Sequence, residues 1–321
     1  MELAHEALCT IPHRGGMNSQ GVGDGAGINI DLSVKFFSSL INKDLEKDQF
    51  AVGNFFIPHN PKSIDKCKDL ISSNLNDNGL NIELWRKVPT NDNVVNKYAL
   101  KEQQQIFQFI ILKPQEIPCD TFEEKLHLAL INIKKIIYYE DTYAGLFPLS
   151  LSTKVQVLKG RLNSGEVIKY FQDLSNTKME VSMLFFHTRF STNTAPATSM
   201  AQPFQFIAHN GELNTDKKNR LSEDAIAKYN NKTFLMPEGQ SDSSRLDQTV
   251  FRRIHEDKLD IVKAIVAMMP PAWEKNQPYS DNVKAMLEYF SLYEEKNDGP
   301  AALIFSDGNK IGARLDRLGL R

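Results

Sequence analysis

The chain has 321 residues, and its 38 Lys+Arg nearly balance 40 Asp+Glu, so a net charge of −2 gives no electrostatic reason to expect nucleic acid. Hydrophobic residues make up 41%, enough for a large core, yet no apolar run approaches the roughly 18 residues needed to span a bilayer, so no membrane role is read. Cys9, Cys67 and Cys119 stand far apart with no C-x-x-C pair, which argues against a metal knuckle or a disulfide framework and points to a reducing, cytoplasmic setting. Glu2 and Glu6 open the chain without a basic stretch, so no secretory signal is read.

In chain order, Leu3–Leu8 reads as a helix that takes in Cys9, a small buried residue there or else a processed nucleophile. Phe50–Pro58 is β-prone, a polar-faced helix runs through Leu70 and Leu75, and Leu80–Val88 is β-prone again around Trp85. Cys67, between two lysines, falls on that helix as a surface position. Ile106–Leu112 is a continuous apolar run stopped by Lys113-Pro114, predicting a strand buried on both faces. Thr121 and Glu124 predict a capping box in front of Leu126, Leu130, Ile133 and Ile137 at helical spacing, with Cys119 left in a proline-flanked loop.

In the second half, Val181–Phe186 and Phe204–Ala208 are β-prone segments that end in polar clusters. Three helices are predicted around Leu246/Val250/Ile254, Ile261–Met269 and Val283/Leu287/Phe290, with Pro270-Pro271 breaking between the last two. Ala302–Phe305 and Lys310–Leu315 flank Ser306-Asp307-Gly308-Asn309, a hairpin turn of the Asp-Gly kind. The pattern is one of mixed α and β.

Four clusters could carry chemistry. Arg189 leads into Phe190-Ser191-Thr192-Asn193-Thr194; a guanidinium there suits a ligand carboxylate, or equally the carbonyls of its own loop. Ala208-His209-Asn210-Gly211-Glu212-Leu213-Asn214-Thr215 reads as a tight Asn-Gly turn, and also as two adjacent donors for a developing oxyanion. Ser241-Asp242-Ser243-Ser244 reads as an N-cap, or as a carboxylate for a ligand ammonium. Gly21–Gly27 satisfies a loose dinucleotide pattern, but Pro12–Gly16 precedes it and β-prone Ile28–Ile30 follows, so a tight loop, with Asp24 bonding its own backbone, is expected instead.

Taken together, Pro12–Gly15, Gly23–Ile28, Arg189–Thr194, Ala201–Phe204, Ala208–Thr215, Ser241–Ser243, Pro271–Trp273, Asp298–Ala301 and Leu315–Arg317 resemble the amino-terminal glutaminase domain of glutamate synthase large subunits, class II glutamine amidotransferases. The resemblance covers nearly the whole chain and implies one domain over residues 1–321. It implies an α+β N-terminal-nucleophile hydrolase fold, a four-layer αββα sandwich of two mainly antiparallel sheets, with the first strand absent from this sequence. It implies hydrolysis of L-glutamine to glutamate and ammonia through a glutamyl thioester on an amino-terminal cysteine. Arg189 would hold the substrate α-carboxylate and Asp242 its α-ammonium, Asn210 and Gly211 would stabilise the oxyanion, and His209 and Arg14 would lie near the substrate. No metal is implied. The implied partners are a synthase region carrying FMN and an iron–sulfur cluster, in which ammonia meets 2-oxoglutarate, and a small subunit or other electron donor.

The sequence departs from that pattern at its start, because too few residues precede His13 for the family's nucleophile strand. Lys218 and Asn219 also replace the family's glycine and asparagine. The expectation is a piece cut at both ends that retains the glutamine pocket. Three alternatives stand beside a glutaminase: a non-catalytic glutamine-binding or interaction module, an inactive gene fragment, and a nucleotide-binding oxidoreductase built on Gly21–Gly27.

Overall fold

The computed structural model describes residues 1–189, 197–274 and 278–321. Their contacts group them into two units, Met1–Gln205 and Phe206–Arg321. The expected polar cluster at Ser191–Thr194 lies outside the described residues.

The first unit contains, in order, α1 (Glu2–Thr10), β1 (Ala26–Asp31), α2 (Val34–Ile41), β2 (Phe50–Ile57), α3 (Pro61–Asp77), β3 (Ile82–Lys87), α4 (Lys97–Glu102), β4 (Gln105–Leu112), α5 (Cys119–Tyr139), β5 (Phe147–Ser152), β6 (Val155–Gly160), α6 (Val167–Tyr170) and β7 (Leu184–His187). Its strands form two antiparallel sheets, ordered β3-β4-β2-β5 and β6-β1-β7. Every residue of β2 is buried, Asn54 among its apolar neighbours included. Period two divides that burial: Phe50, Val52 and Phe56 join the core shared with Ile28, Ile30 and Val157, whereas Phe55 on the opposite face packs on Phe109. Helices α3 and α5 pack against each other and against this four-stranded sheet, while β5 and β2 contact β6. Polar bonds stitch the two sheets: Asn54 Nδ2 donates to Val157 O at 3.0 Å, and Gln108 Nε2 donates to Gln156 Oε1 at 3.1 Å. A buried side-chain amide with a partner costs little, and here it also fixes how one sheet sits on the other.

The second unit contains β8 (Ile207–Gly211), α7 (Asp216–Tyr229), α8 (Asp242–His255), α9 (Ile261–Met268), α10 (Asp281–Ser291), β9 (Ala301–Ser306) and β10 (Ile311–Leu315). Its strands form one antiparallel sheet ordered β10-β9-β8. The expected hairpin turn joins β9 to β10, where Asp307 Oδ1 accepts from the amides of Asn309 and Lys310 at 2.9 and 2.8 Å. Helix α8 carries Leu246 and Val250 into the core. Its last turns place Arg252 and Arg253 on buried carboxylates: Glu223 takes Arg252 Nη1 at 2.7 Å and also Arg253, and Glu294 takes Arg253 Nε at 2.7 Å.

Mixed helices with antiparallel sheets make the chain α+β, as expected. Several local readings need correction. Helix α5 starts at Cys119 behind an extended Pro118, which puts Thr121 inside the first turn and leaves no capping box. Cys67 shares the buried stripe of α3 with Leu70, Ile71 and Leu75, because helical period outweighs its lysine neighbours. Cys9, in contrast, is exposed on α1, 3.7 Å from the ring nitrogens of His5. Segment 21–25 leads into strand β1 and not into a helix, so it forms no dinucleotide-binding loop.

Candidate active site

The expected Asn-Gly turn is a strand end. Asn210 pairs with Ala302 and Gly211 with Ala301 in the β8–β9 ladder. Glu212 N donates to Pro300 O at 2.9 Å and Ser306 N to Phe206 O at 2.9 Å, so the even-numbered residues of β8 make the ladder's bonds. Antiparallel alternation therefore turns the Gly211 N–H away from β9, toward the outer edge of the sheet. Gly211 has φ +147°, and a Cβ there would lie 1.8 Å from Pro300 O. Gly299, at φ +145°, packs as closely: its Cβ would lie 2.1 Å from Glu212 O. The backbone after Asn210 is thus pressed against Asp298–Pro300.

That strand is tied to α8 at three points. Phe206 N and Ile207 N donate to Asp247 Oδ1 at 2.8 and 3.2 Å. The buried His209 ring has Nδ1 2.8 Å from Ser243 Oγ. Leu213 N donates to Asp242 Oδ2 at 2.9 Å. Ser241 caps α8 by accepting from Ser244 N, so Asp242 falls in the first helical turn, where the helix dipole favours a carboxylate. Asp242 is partly exposed, and its Oδ1 accepts from Ser243 N at 2.6 Å. Burial lowers the pKa of His209; the Asp242 charge opposes this, and Arg321 and Arg245 reinforce it. Below these groups Asp298 takes Arg317 through two bonds of 2.7 and 2.9 Å, which holds its carboxyl below the usual range, and Asp298 N donates to Thr215 Oγ1. The segments Ala208–Thr215, Ser241–Ser243, Asp298–Ala301 and Leu315–Arg317 therefore form one contiguous arrangement in the second unit.

In the first unit a second group of expected residues meets. Arg189 follows β7, whose His187 pairs with Gly27 of β1, and its Nε lies 3.6 Å from Asp24 Oδ2. Asp24 N donates to Gly16 O at 2.8 Å, which binds the Pro12–Gly16 segment to the same spot. Arg14 is exposed in a single 3₁₀ turn, Pro12–Arg14. Asp24 was expected to serve its own backbone and instead faces the guanidinium. Residue type alone does not reveal such a partner 165 positions away.

Chemically, the second unit offers an exposed side-chain amide at Asn210, an outward N–H at Gly211 and a fixed carboxylate at Asp242. The first offers a half-exposed guanidinium. Sequence reasoning missed Asp247 and read Ser243 only as part of the cap cluster, because their partners depend on which side of α8 faces β8. Among the described residues no group of three or more His, Cys, Asp or Glu could hold a metal ion. No helix there is long and apolar enough to cross a membrane.

The family model described as glutamine amidotransferases class-II matches residues 1–321. The chain is similar to glutamate synthase [NADH] of Saccharomyces cerevisiae, 32% identical over 344 residues that cover 99% of this chain and 16% of that protein. It is also similar to the ferredoxin-dependent glutamate synthase of Antithamnion sp., 33% identical with 99% of this chain and 22% of that protein covered. The glutamate synthase [NADPH] large chain of Azospirillum brasilense is 30% identical, with 100% of this chain and 22% of that protein covered. The chain thus spans less than a quarter of the length of these relatives. The family match takes in every segment gathered around Asn210 and around Arg189, and the chain belongs to the class II glutamine amidotransferases.

Proposed function

We propose that residues 1–321 act as one glutamine amidotransferase domain of a glutamate synthase, releasing ammonia from L-glutamine for transfer to 2-oxoglutarate. The observation that supports this reading is the tie between Leu213 N and Asp242 Oδ2, which joins the Asp242 carboxylate to the segment that follows Asn210 and Gly211. In the mechanism, a thiolate attacks the substrate carboxamide carbon and the carbonyl oxygen becomes an oxyanion. The Asn210 amide and the Gly211 N–H donate to that oxygen. The base that took the thiol's proton returns it to the amide nitrogen as the intermediate collapses, so ammonia leaves and a glutamyl thioester remains, which water hydrolyses to glutamate and free thiol. Arg189 takes the α-carboxylate through its planar fork, and Asp242 takes the α-ammonium. His209 acts on the substrate through Asp242, and Arg14 stands near the carboxylate end. The domain itself uses no metal; FMN, an iron–sulfur cluster and the electron donor belong to the synthase part.

All three cysteines lie in helices, and none opens a strand, so the attacking thiol is left unassigned. A chain without it remains a glutamine-binding module. Calorimetry with L-glutamine tests the shared part of both readings: millimolar or tighter binding, lost in Arg189→Ala and in Asp242→Asn, is expected, and unchanged affinity in both variants would overturn the assignment. Ammonia release separates the two readings.

A further inference from the structure

Asp242 is held more closely than a surface N-terminal carboxylate needs to be. Its Oδ2 takes the Leu213 amide at 2.9 Å, and its Oδ1 takes the Ser243 amide at 2.6 Å and faces the Ser243 hydroxyl at 3.1 Å. Ser243 Oγ is in turn 2.8 Å from His209 Nδ1, and both side chains are buried. The donors can be assigned by elimination. An ionised carboxylate only accepts, so the single hydroxyl proton of Ser243 goes to Asp242, and Ser243 must then accept from His209. That requires the proton of the neutral imidazole to sit on Nδ1. The chain of donors runs one way, from the strand through the serine to the carboxylate. Nothing about capping demands this, because Ser241 already caps α8.

We propose that Ser243 and His209 are positioning residues that set the selectivity of the site for an α-amino group. His209 Nδ1–H fixes the Ser243 hydroxyl as a donor, the hydroxyl locks the Asp242 carboxylate in one rotamer, and the locked carboxylate distinguishes an α-ammonium from its absence. This rests on the reading of Asp242 as the ammonium site. A carboxylate left to rotate has to be ordered at each binding event, and that cost falls only on ligands that use it. A ligand lacking the amino group gains nothing from the relay and loses nothing without it.

The test uses the full chain and two ligands, L-glutamine and 4-carbamoylbutanoate, which is glutamine without its α-amino group. Wild type is expected to bind glutamine more tightly. Ser243→Ala should cut that preference about tenfold by weakening glutamine alone, the scale of a hydrogen bond to a charged group. Ser243→Thr, which keeps the hydroxyl, should restore it. His209→Asn, which keeps a donor near Nδ1, should retain more preference than His209→Gln. If Ser243→Ala does not fold, Ser243→Cys replaces it. Equal weakening of both ligands would show an ordinary structural role and overturn the relay alone, as would an undiminished preference. A wild type that does not prefer glutamine, or binds neither ligand, overturns the ammonium reading and the relay with it.

Discussion

The carbonyl oxygen of Pro300 occupies the space that a side chain on Gly211 would need, 1.8 Å from the position of its Cβ. The obstructing atom belongs to the backbone of the partner segment and cannot swing aside. The φ of +147° at Gly211 adds to the penalty. Gly211→Ala is expected to cost about 3 kcal/mol, seen as a fall of several degrees in melting temperature. A melting curve that overlays wild type would mean that the Asp298–Pro300 segment is not packed there.

His209 should make the fold acid-sensitive. Burial holds its pKa below the ordinary value, so the unfolded chain takes up a proton at a higher pH than the folded one. The stability it contributes is complete above the unfolded value of about 6.5 and drains away as pH falls from there toward the folded value. Urea unfolding at about pH 7.5 and about pH 5.5 should show this loss, and His209→Asn should flatten it. An identical slope in the variant would assign the effect elsewhere.

Glu223 serves two guanidiniums at once. It bonds Arg252 Nη1 at 2.7 Å and also meets Arg253, all three side chains being buried. Burial alone would lower the pKa of Arg253, yet the Glu294 and Glu223 charges together raise it. Glu223→Gln removes the shared charge and strands part of two buried cations, so denaturant unfolding should register a loss of about 3–5 kcal/mol. A loss under about 1 kcal/mol would place these arginines in contact with water.

Thiol reactivity should rank the cysteines. Cys9 is exposed, Cys119 is half-buried and receives Gln49 Nε2 at 3.5 Å, and burial pushes the Cys67 thiol up to about 11. Mass spectrometry after limited alkylation of native protein should find Cys9 modified first and Cys67 only after denaturation. Early labelling of Cys67 would contradict the buried stripe of α3.

Elements with strong local pattern were readable from the sequence: the two-sided burial of the run Ile106–Leu112, the stripe of α8 and the β9–β10 hairpin. Asn210-Gly211 was misread locally, because Asn-Gly is a turn signal until another strand pairs with it, and β9 lies some ninety positions later. Residue chemistry pointed to Arg189 and Asp242, but the facing residues Asp24 and Ser243 depend on register and helix phase, which only the folded chain fixes.

Strand β8 is fastened to α8 above and below, by Asp247 on Phe206 and Ile207 and by Asp242 on Leu213. Neither element can loosen its end without releasing the other. The two should open as one foldon, with the amides of Ile207 and Leu213 exchanging with solvent deuterium at a common rate. Thermal motion that reached the donors at Asn210 and Gly211 would then carry the carboxylate along with them, preserving their spacing while the whole assembly breathes.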